Sequence, residues 1–265
     1  MTRRSIIAVL SVLACAPQTA PTPVTVSVSG PASAEGLERR AVRRDLPMTN
    51  TIRRALAAGT RDSTGRPGRN YWQLWTEYTI NARLDAPSST VTGRETVVLH
   101  NNSDTTLRNI VLRLDQNYFT PNAARSEPNP SAIEITSGMK LSRIAVDGQA
   151  ASLPRGTTAG AGNGTAGGPT VAGLDQTVAV VGLPTPIAAN GSATLEIDWS
   201  FKVPGVEGVR GQRMGRYGDT LYQVAQWYPR VAVFDDLRGW DTEPYLGQSE
   251  FYNNFGKWDV SIDVP

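Results

Sequence analysis

The stretch "ATLEIDWSFKV", residues 193–203, decides the fold. Leu195, Ile197, Trp199, Phe201 and Val203 alternate there with Thr194, Glu196, Asp198, Ser200 and Lys202. Successive side chains of an extended chain point to opposite sides of a pleated sheet, so this period of two predicts a strand with one buried and one wet face. "KWDVSID" repeats the pattern, with Trp258, Val260 and Ile262 set against Asp259, Ser261 and Asp263. Ile110, Leu112 and Leu114 alternate likewise, as do Tyr78, Ile80, Ala82 and Leu84. Further strands are expected at 90–100, 133–146, 176–181 and 220–225. Turn residues separate them: Pro87-Ser88-Ser89, Asn101-Asn102-Ser103-Asp104, Asp147-Gly148 and Asn190-Gly191. The reading is an all-β fold, an antiparallel β-sandwich, over residues 71–265.

Upstream of Tyr71 the period of two is absent. "LERRAVRRDLPMTNTIRRALAAG" carries a broken helical pattern: Pro47 interrupts it, Thr49 or Asn50 can cap a second short helix, and Gly59 can end it. Residues 16–35 are rich in Pro, Thr, Ser, Ala and Val, as in an extended tether, so 16–70 reads as a linker with short helices. At the start, Arg3 and Arg4 precede an apolar run from Ile6 to Ala14 that is shorter than the ~20 residues a membrane span needs, as in an export signal. Val12-Leu13-Ala14-Cys15 is similar to a bacterial lipobox, which makes residues 1–15 a signal peptide and Cys15 the expected lipidation site. Cleavage after Ala34 in "ASA" is the alternative. Either way the chain is expected to be exported, to the periplasm or the outer membrane as a lipoprotein.

With 265 residues and 40% hydrophobic content the chain can bury a real core. Its net charge of +2 hides an asymmetry. Residues 1–70 hold eleven arginines and four acids, whereas residues 71–265 hold fifteen basic and twenty acidic side chains. An acidic folded part argues against a nucleic-acid partner. The Gly/Ala/Thr-rich stretch 155–174 reads as a long loop, and no Lys-Ser/Thr follows it as a phosphate-binding loop would require.

Zinc hydrolysis needs three closely placed protein donors and one open position. His100 and Cys15 are the only imidazole and thiol in the chain, so no zinc site of the usual kind and no serine or cysteine triad can be assembled from it. His100 is expected to be a polar residue at a strand end. No catalytic residue and no cofactor is assigned to this chain. Carboxylate chemistry passes that test: Asp235, Asp236, Asp241, Glu243 and Glu250 lie among aromatics, and Asp235 or Glu250 could serve a glycosidase. The competing reading has Asp235 and Asp236 shaping a turn, with Asp241 or Glu250 accepting from Arg230, Arg238 or backbone amides. Eleven of the nineteen aromatic residues fall between Tyr217 and Trp258, which suggests a ligand platform or a surface packed on another domain.

Two blocks carry a family resemblance. "YWQLWTEYTINARLDAPSSTVTGRETVVLHNNSDTTLRNIVLRLDQNYF" (71–119) and "VAQWYPRVAVFDDLRGWDTEPYLGQSEFYNNFGKWDVSIDVP" (224–265) resemble the N-terminal region of bacterial M1-family zinc aminopeptidases. The first is similar to that family's opening strand, Thr-Gly turn and "NNS" hairpin, and the second to its QWYP, DD, GW, PYLG and EFY run. The resemblance implies a saddle-shaped β domain packed against a thermolysin-like catalytic domain. The family's H-E-x-x-H zinc helix and G-x-M-E-N loop are not found in this sequence, so it implies zinc for the whole enzyme and none here. It further implies a Gln or Glu that holds the substrate's α-amino group, for which Gln226 and Gln223 are the candidates, a buried structural amide being the alternative. The expected partners are a downstream peptidase catalytic domain, a peptide substrate and, through Cys15, a membrane. The rival function is a stand-alone exported β-sandwich module that binds glycan or protein through Trp227, Trp240 and Trp258.

Overall fold

The computed structural model describes residues 47–126, 134–153, 167–205, 214–247 and 252–265. The compact unit that holds the fold runs from Met48 to Pro265. It opens with helix α1 (Asn50–Ala58), bounded by the two residues whose chemistry suits the task. Thr49 Oγ1 accepts from the Ile52 amide at 3.4 Å, and Gly59 closes the helix in the left-handed conformation, its N–H reaching the Leu56 carbonyl at 3.1 Å. No helix among the described residues is long and apolar enough to cross a membrane.

Strands follow in the order β1 (Trp75–Asp85), β2 (Thr90–His100), β3 (Leu107–Arg113), β4 (Lys140–Val146), β5 (Gln149–Ala150), β6 (Thr170–Ala172) and β7 (Val178–Ile187). Then come β8 (Ser192–Lys202), β9 (Met214–Tyr217), β10 (Leu221–Val224), β11 (Arg230–Val231), β12 (Phe234–Asp235), β13 (Gly239–Trp240) and β14 (Phe255–Asp263). A 3₁₀ turn, Asp115–Phe119, leaves β3. The six-stranded sheet runs β14-β1-β2-β8-β4-β5 and the four-stranded sheet β11-β3-β7-β6, with two small ribbons, β9-β10 and β12-β13. The fold is an all-β sandwich, antiparallel throughout its named pairings except where β14 lies parallel to β1.

Register explains the core. Across the large sheet, Trp258, Tyr78, Val97, Leu195 and Val146 form one inward row, and Val260, Ile80, Glu95, Ile197 and Ile144 form the next. These rows meet Ile110, Leu112, Ala179, Val181 and Val231 of the smaller sheet in one apolar cluster. The outward face is wet and carries cross-strand ion pairs such as Arg94 with Asp198, bidentate at 2.7 and 2.9 Å. Gly93 is required on the inward face, because the indole of Trp199 lies where a β-carbon would be: such an atom would sit 2.2 Å from the Trp199 ring.

Three expectations need correction in detail. The stretch 133–146 becomes a strand only from Lys140, since the Glu134 amide bonds the Gly205 carbonyl at 3.1 Å and its carboxylate accepts from the Gly205 amide and Lys202. The stretch 176–181 extends instead to Ile187, past Pro184 and Pro186, which lack the N–H a regular ladder needs; there the register with β3 shifts. The alternation of β14 predicts a half-buried strand, yet Trp258, Val260 and Ile262 are 42%, 41% and 53% exposed. They occupy inward positions of the sheet, on an edge the smaller sheet does not cover.

Candidate functional site

The candidate site is built around the segment from Ala225 to Val231, between β10 and β11. Gln226 adopts a left-handed backbone, φ 49°, unusual for a side chain of its size. What holds it there is Gln116 from the 3₁₀ turn, whose Nε2 donates to the carbonyls of Ala225 and Gln226 at 2.9 and 3.2 Å. The Oε1 atoms of Gln226 and Gln116 are both buried without a hydrogen-bond partner. A buried acceptor left unpaired costs about 1–3 kcal/mol, so this corner holds acceptor capacity that a donor could use. Gln223, the other candidate, is exposed on the β9-β10 ribbon opposite Gly215.

Next to Gln226 a chain of rings crosses the sandwich. Trp199 stacks near Phe201 at 6.0 Å and meets Trp227 edge-on at 5.8 Å, Trp227 meets Tyr228 at 4.9 Å, and Tyr228 meets Tyr78 at 5.6 Å. Tyr78 stacks on Trp258 at 5.5 Å, and Trp258 Nε1 donates to the Tyr228 hydroxyl at 3.0 Å. The Tyr78 hydroxyl accepts from the Val231 amide at 2.9 Å. Burial pushes the Tyr78 and Tyr228 phenols up, so both stay neutral. Trp240 belongs to another cluster, with Phe234 at 5.2 Å, which in turn stacks on Trp72 at 5.6 Å. Trp227, Trp240 and Trp258 are therefore distributed over two clusters rather than gathered on one platform.

The acids fall out as structural groups. Asp235 Oδ1 accepts from the amides of Leu237 and Arg238 at 2.9 and 2.6 Å, shaping the β12-β13 turn. Asp236 takes both prongs of Arg61 at 2.9 and 2.7 Å and the Thr60 hydroxyl at 2.7 Å. Burial opposes its charge, but those hydrogen bonds win and hold its carboxyl below the usual range. The same pair ties residues 60–61 to the β domain. Asp241 accepts from the Glu243 amide at 3.4 Å, a backbone partner of the kind expected of it, and lies 3.5 Å from Arg113. Arg230 meets the buried Asp115, together with Arg113, and Asn253. Arg61, Arg113, Arg230, Asp235, Asp241 and Tyr252 line an open bowl of about 460 Å³. Of its charges, Arg113 lies near Asp241, while Arg61 and Arg230 pair with Asp236 and Asp115. Glu250 and Cys15 lie outside the described residues.

His100 closes β2 and its Nε2 lies 2.9 Å from Glu77, the strand-end polar role expected of it. Among the described residues no group of three or more His, Cys, Asp or Glu side chains is placed to hold a metal ion. The donors among the described residues do not make a catalytic zinc site.

Two residues escaped the sequence reading. Gln116 is invisible without the fold, because its role depends on the 3₁₀ turn meeting a segment about 110 residues away. Glu95 was findable: Val91, Gly93, Glu95, Val97 and Leu99 form the inward set of β2, and a carboxyl in that series is an anomaly.

No family model matches the chain, and no curated protein matches it. Among solved structures it is similar to a two-domain M1 zinc metallopeptidase mutant bound to L-tryptophan, with 16% identity over 56% of this chain and 24% of that one, at TM-score 0.31. A second is an M1 zinc metallopeptidase mutant from Deinococcus radiodurans bound to a Tyr-Ser-Ala substrate, with 13% identity, coverage of 76% and 34%, and TM-score 0.35. A third is an M1 zinc metallopeptidase from Deinococcus radiodurans, with 12% identity, coverage of 75% and 34%, and TM-score 0.33. The chain spans about a third or less of the length of these structures, and at such scores the likeness carries neither a family assignment nor an activity.

Proposed function

We propose that this chain is the non-catalytic N-terminal portion of an M1-type zinc aminopeptidase, a scaffold for a catalytic domain and one wall of its peptide cleft. One observation carries the reading: Trp258, Val260 and Ile262 continue the inward rows of the large sheet, yet they remain 42%, 41% and 53% exposed. A sheet face patterned as interior and left open is a surface made to meet another apolar surface. The motifs in 71–119 and 224–265 say which kind.

In this role Gln226 is the side chain that receives the substrate's α-amino group, its unpaired buried Oε1 accepting from the ammonium. Gln223, exposed on its ribbon, is the less suitable of the two. Zinc and the groups that activate water belong to the catalytic domain, and no step of hydrolysis is assigned to residues of this chain. Export with a lipid on Cys15 would place the assembly at a bacterial membrane surface. Labelled palmitate should enter the wild-type chain and not Cys15→Ala.

The test is to read the coding DNA beyond the Pro265 codon and produce the encoded protein. An in-frame H-E-x-x-H followed by a downstream Glu, with zinc-dependent release of N-terminal residues, supports the reading. An unrelated sequence there, with glycan binding abolished by Trp258→Ala, would replace it with the stand-alone module.

A further inference from the structure

Glu95 is wholly buried, at 0% exposure, and neither carboxyl oxygen has a hydrogen-bond partner. It stands at the middle of β2, between Ile80 on one side and Ile197 on the other, in a row otherwise made of aliphatic side chains. The core cluster around this row is made of apolar side chains from β8, β4, β3 and β7, such as Leu195, Ile144, Leu112 and Val181, none of them titratable. The ionisable groups that feel its charge are Tyr78 from β1 and Tyr228 from the segment between β10 and β11, both neutral phenols. Arg230 acts on those two phenols, and among the described residues no ion pair is made by Glu95 itself. In such surroundings the carboxylate form is strongly disfavoured, and burial pushes the carboxyl well above its usual range.

The lid over this part of the sheet is the Trp227–Tyr228 segment. It is held by a few specific contacts: Gln116 on the carbonyls of Ala225 and Gln226, Tyr78 on the Val231 amide, and Trp258 on Tyr228. It also carries the left-handed Gln226, a conformation that persists only while its surroundings enforce it.

We propose that Glu95 is a proton-operated latch: neutral, it lets the Trp227–Tyr228 segment close over the sheet, and on ionisation it drives that segment off. Water and counter-ions then reach the carboxylate, and the Gln226 corner opens with the same movement. The proposal does not depend on a catalytic domain docking at β14. Because the native carboxyl holds its proton to higher pH than the unfolded one, stability is fully present below the unfolded carboxyl range, near pH 4.3, and declines as pH rises toward the native value.

The test compares the wild-type 265-residue chain with Glu95→Gln between about pH 5 and about pH 8. For the wild type the unfolding constant should rise by up to about tenfold per pH unit more than for the variant, and acrylamide quenching of tryptophan should rise with pH only in the wild type. Equal pH slopes would overturn the latch, and so would differing slopes with unchanged quenching, since Glu95 would then affect stability without moving the segment. If Glu95→Gln does not fold, the wild type alone decides. Wherever the native carboxyl still holds the proton that the unfolded chain has lost, unfolding must release protons, and uptake or no change there contradicts the proposal.

Discussion

Replacing Gly93 by alanine tests the packing on which the site rests. The added β-carbon would lie 2.2, 2.6 and 2.7 Å from three atoms of the Trp199 indole, where ordinary carbon contacts need about 3.5–4.0 Å. The ring must therefore retreat by more than about 1 Å. It has little room, because Trp199 is buried, stacked near Phe201 and capped by the edge of Trp227. Alanine in a strand would by itself gain about 0.5–1 kcal/mol over glycine. Overpacking of a filled core costs about 1–3 kcal/mol, and here the displaced group is a large ring rather than a flexible tip, so the net loss should be about 1–2 kcal/mol. Urea unfolding followed by tryptophan fluorescence should show a lower midpoint at unchanged slope, and the melting temperature should fall by about 2–8 °C. Pairing the change with Trp199→Leu should recover part of the loss through a non-additive term, since the two residues share one space. A midpoint equal to or above wild type for Gly93→Ala would refute this account of the inward face.

Other substitutions probe separate joints. Asp236→Asn removes the acceptor shared by Arg61 and Thr60 and should cost about 1–3 kcal/mol, with proteolytic cleavage between residues 48 and 70 becoming faster. The pH dependence of that joint follows from the lowered Asp236 carboxyl: its contribution is present above the unfolded carboxyl range, near pH 3.9, and is lost as pH falls through the native value, so the wild type's advantage over Asp236→Asn should shrink under acid. Tyr78→Phe leaves the Val231 amide without its acceptor and should cost about 1–3 kcal/mol in chemical unfolding. Gln116→Leu deprives the Ala225 and Gln226 carbonyls of their donor, so amide exchange should accelerate from 225 to 231 before it does in β8. Val260→Lys, on an exposed edge, should change stability by less than about 1 kcal/mol while lowering the binding of a hydrophobic dye.

Much of the fold was legible because strand periodicity is local. Leu195 to Phe201 announce their face without knowledge of any partner, and Thr49 and Gly59 mark the ends of α1 by their own chemistry. Asp147 and Gly148 likewise form the turn they suggest, both with positive φ. Coverage is not local: β14 alternates as a buried strand does, but whether its face meets anything depends on how far the smaller sheet reaches. The acidic cluster divides in the same way. Asp235 shapes a turn within three residues, which sequence can suggest, whereas the bond from Asp236 to Arg61 spans 175 positions. Gln226 was named on motif alone; its left-handed backbone is held through its carbonyl by Gln116, which no nearby residue foretells.

The central claim is that the open β14 face was made to be covered by a peptidase catalytic domain. Hydrogen exchange of the 265-residue chain, alone and mixed with an M1-type catalytic domain from the same genome, tests it most directly. The account expects protection of residues 255–263 on mixing, and its loss in the Val260→Lys, Ile262→Lys double variant. Exchange in β14 that is the same with and without the domain would contradict it.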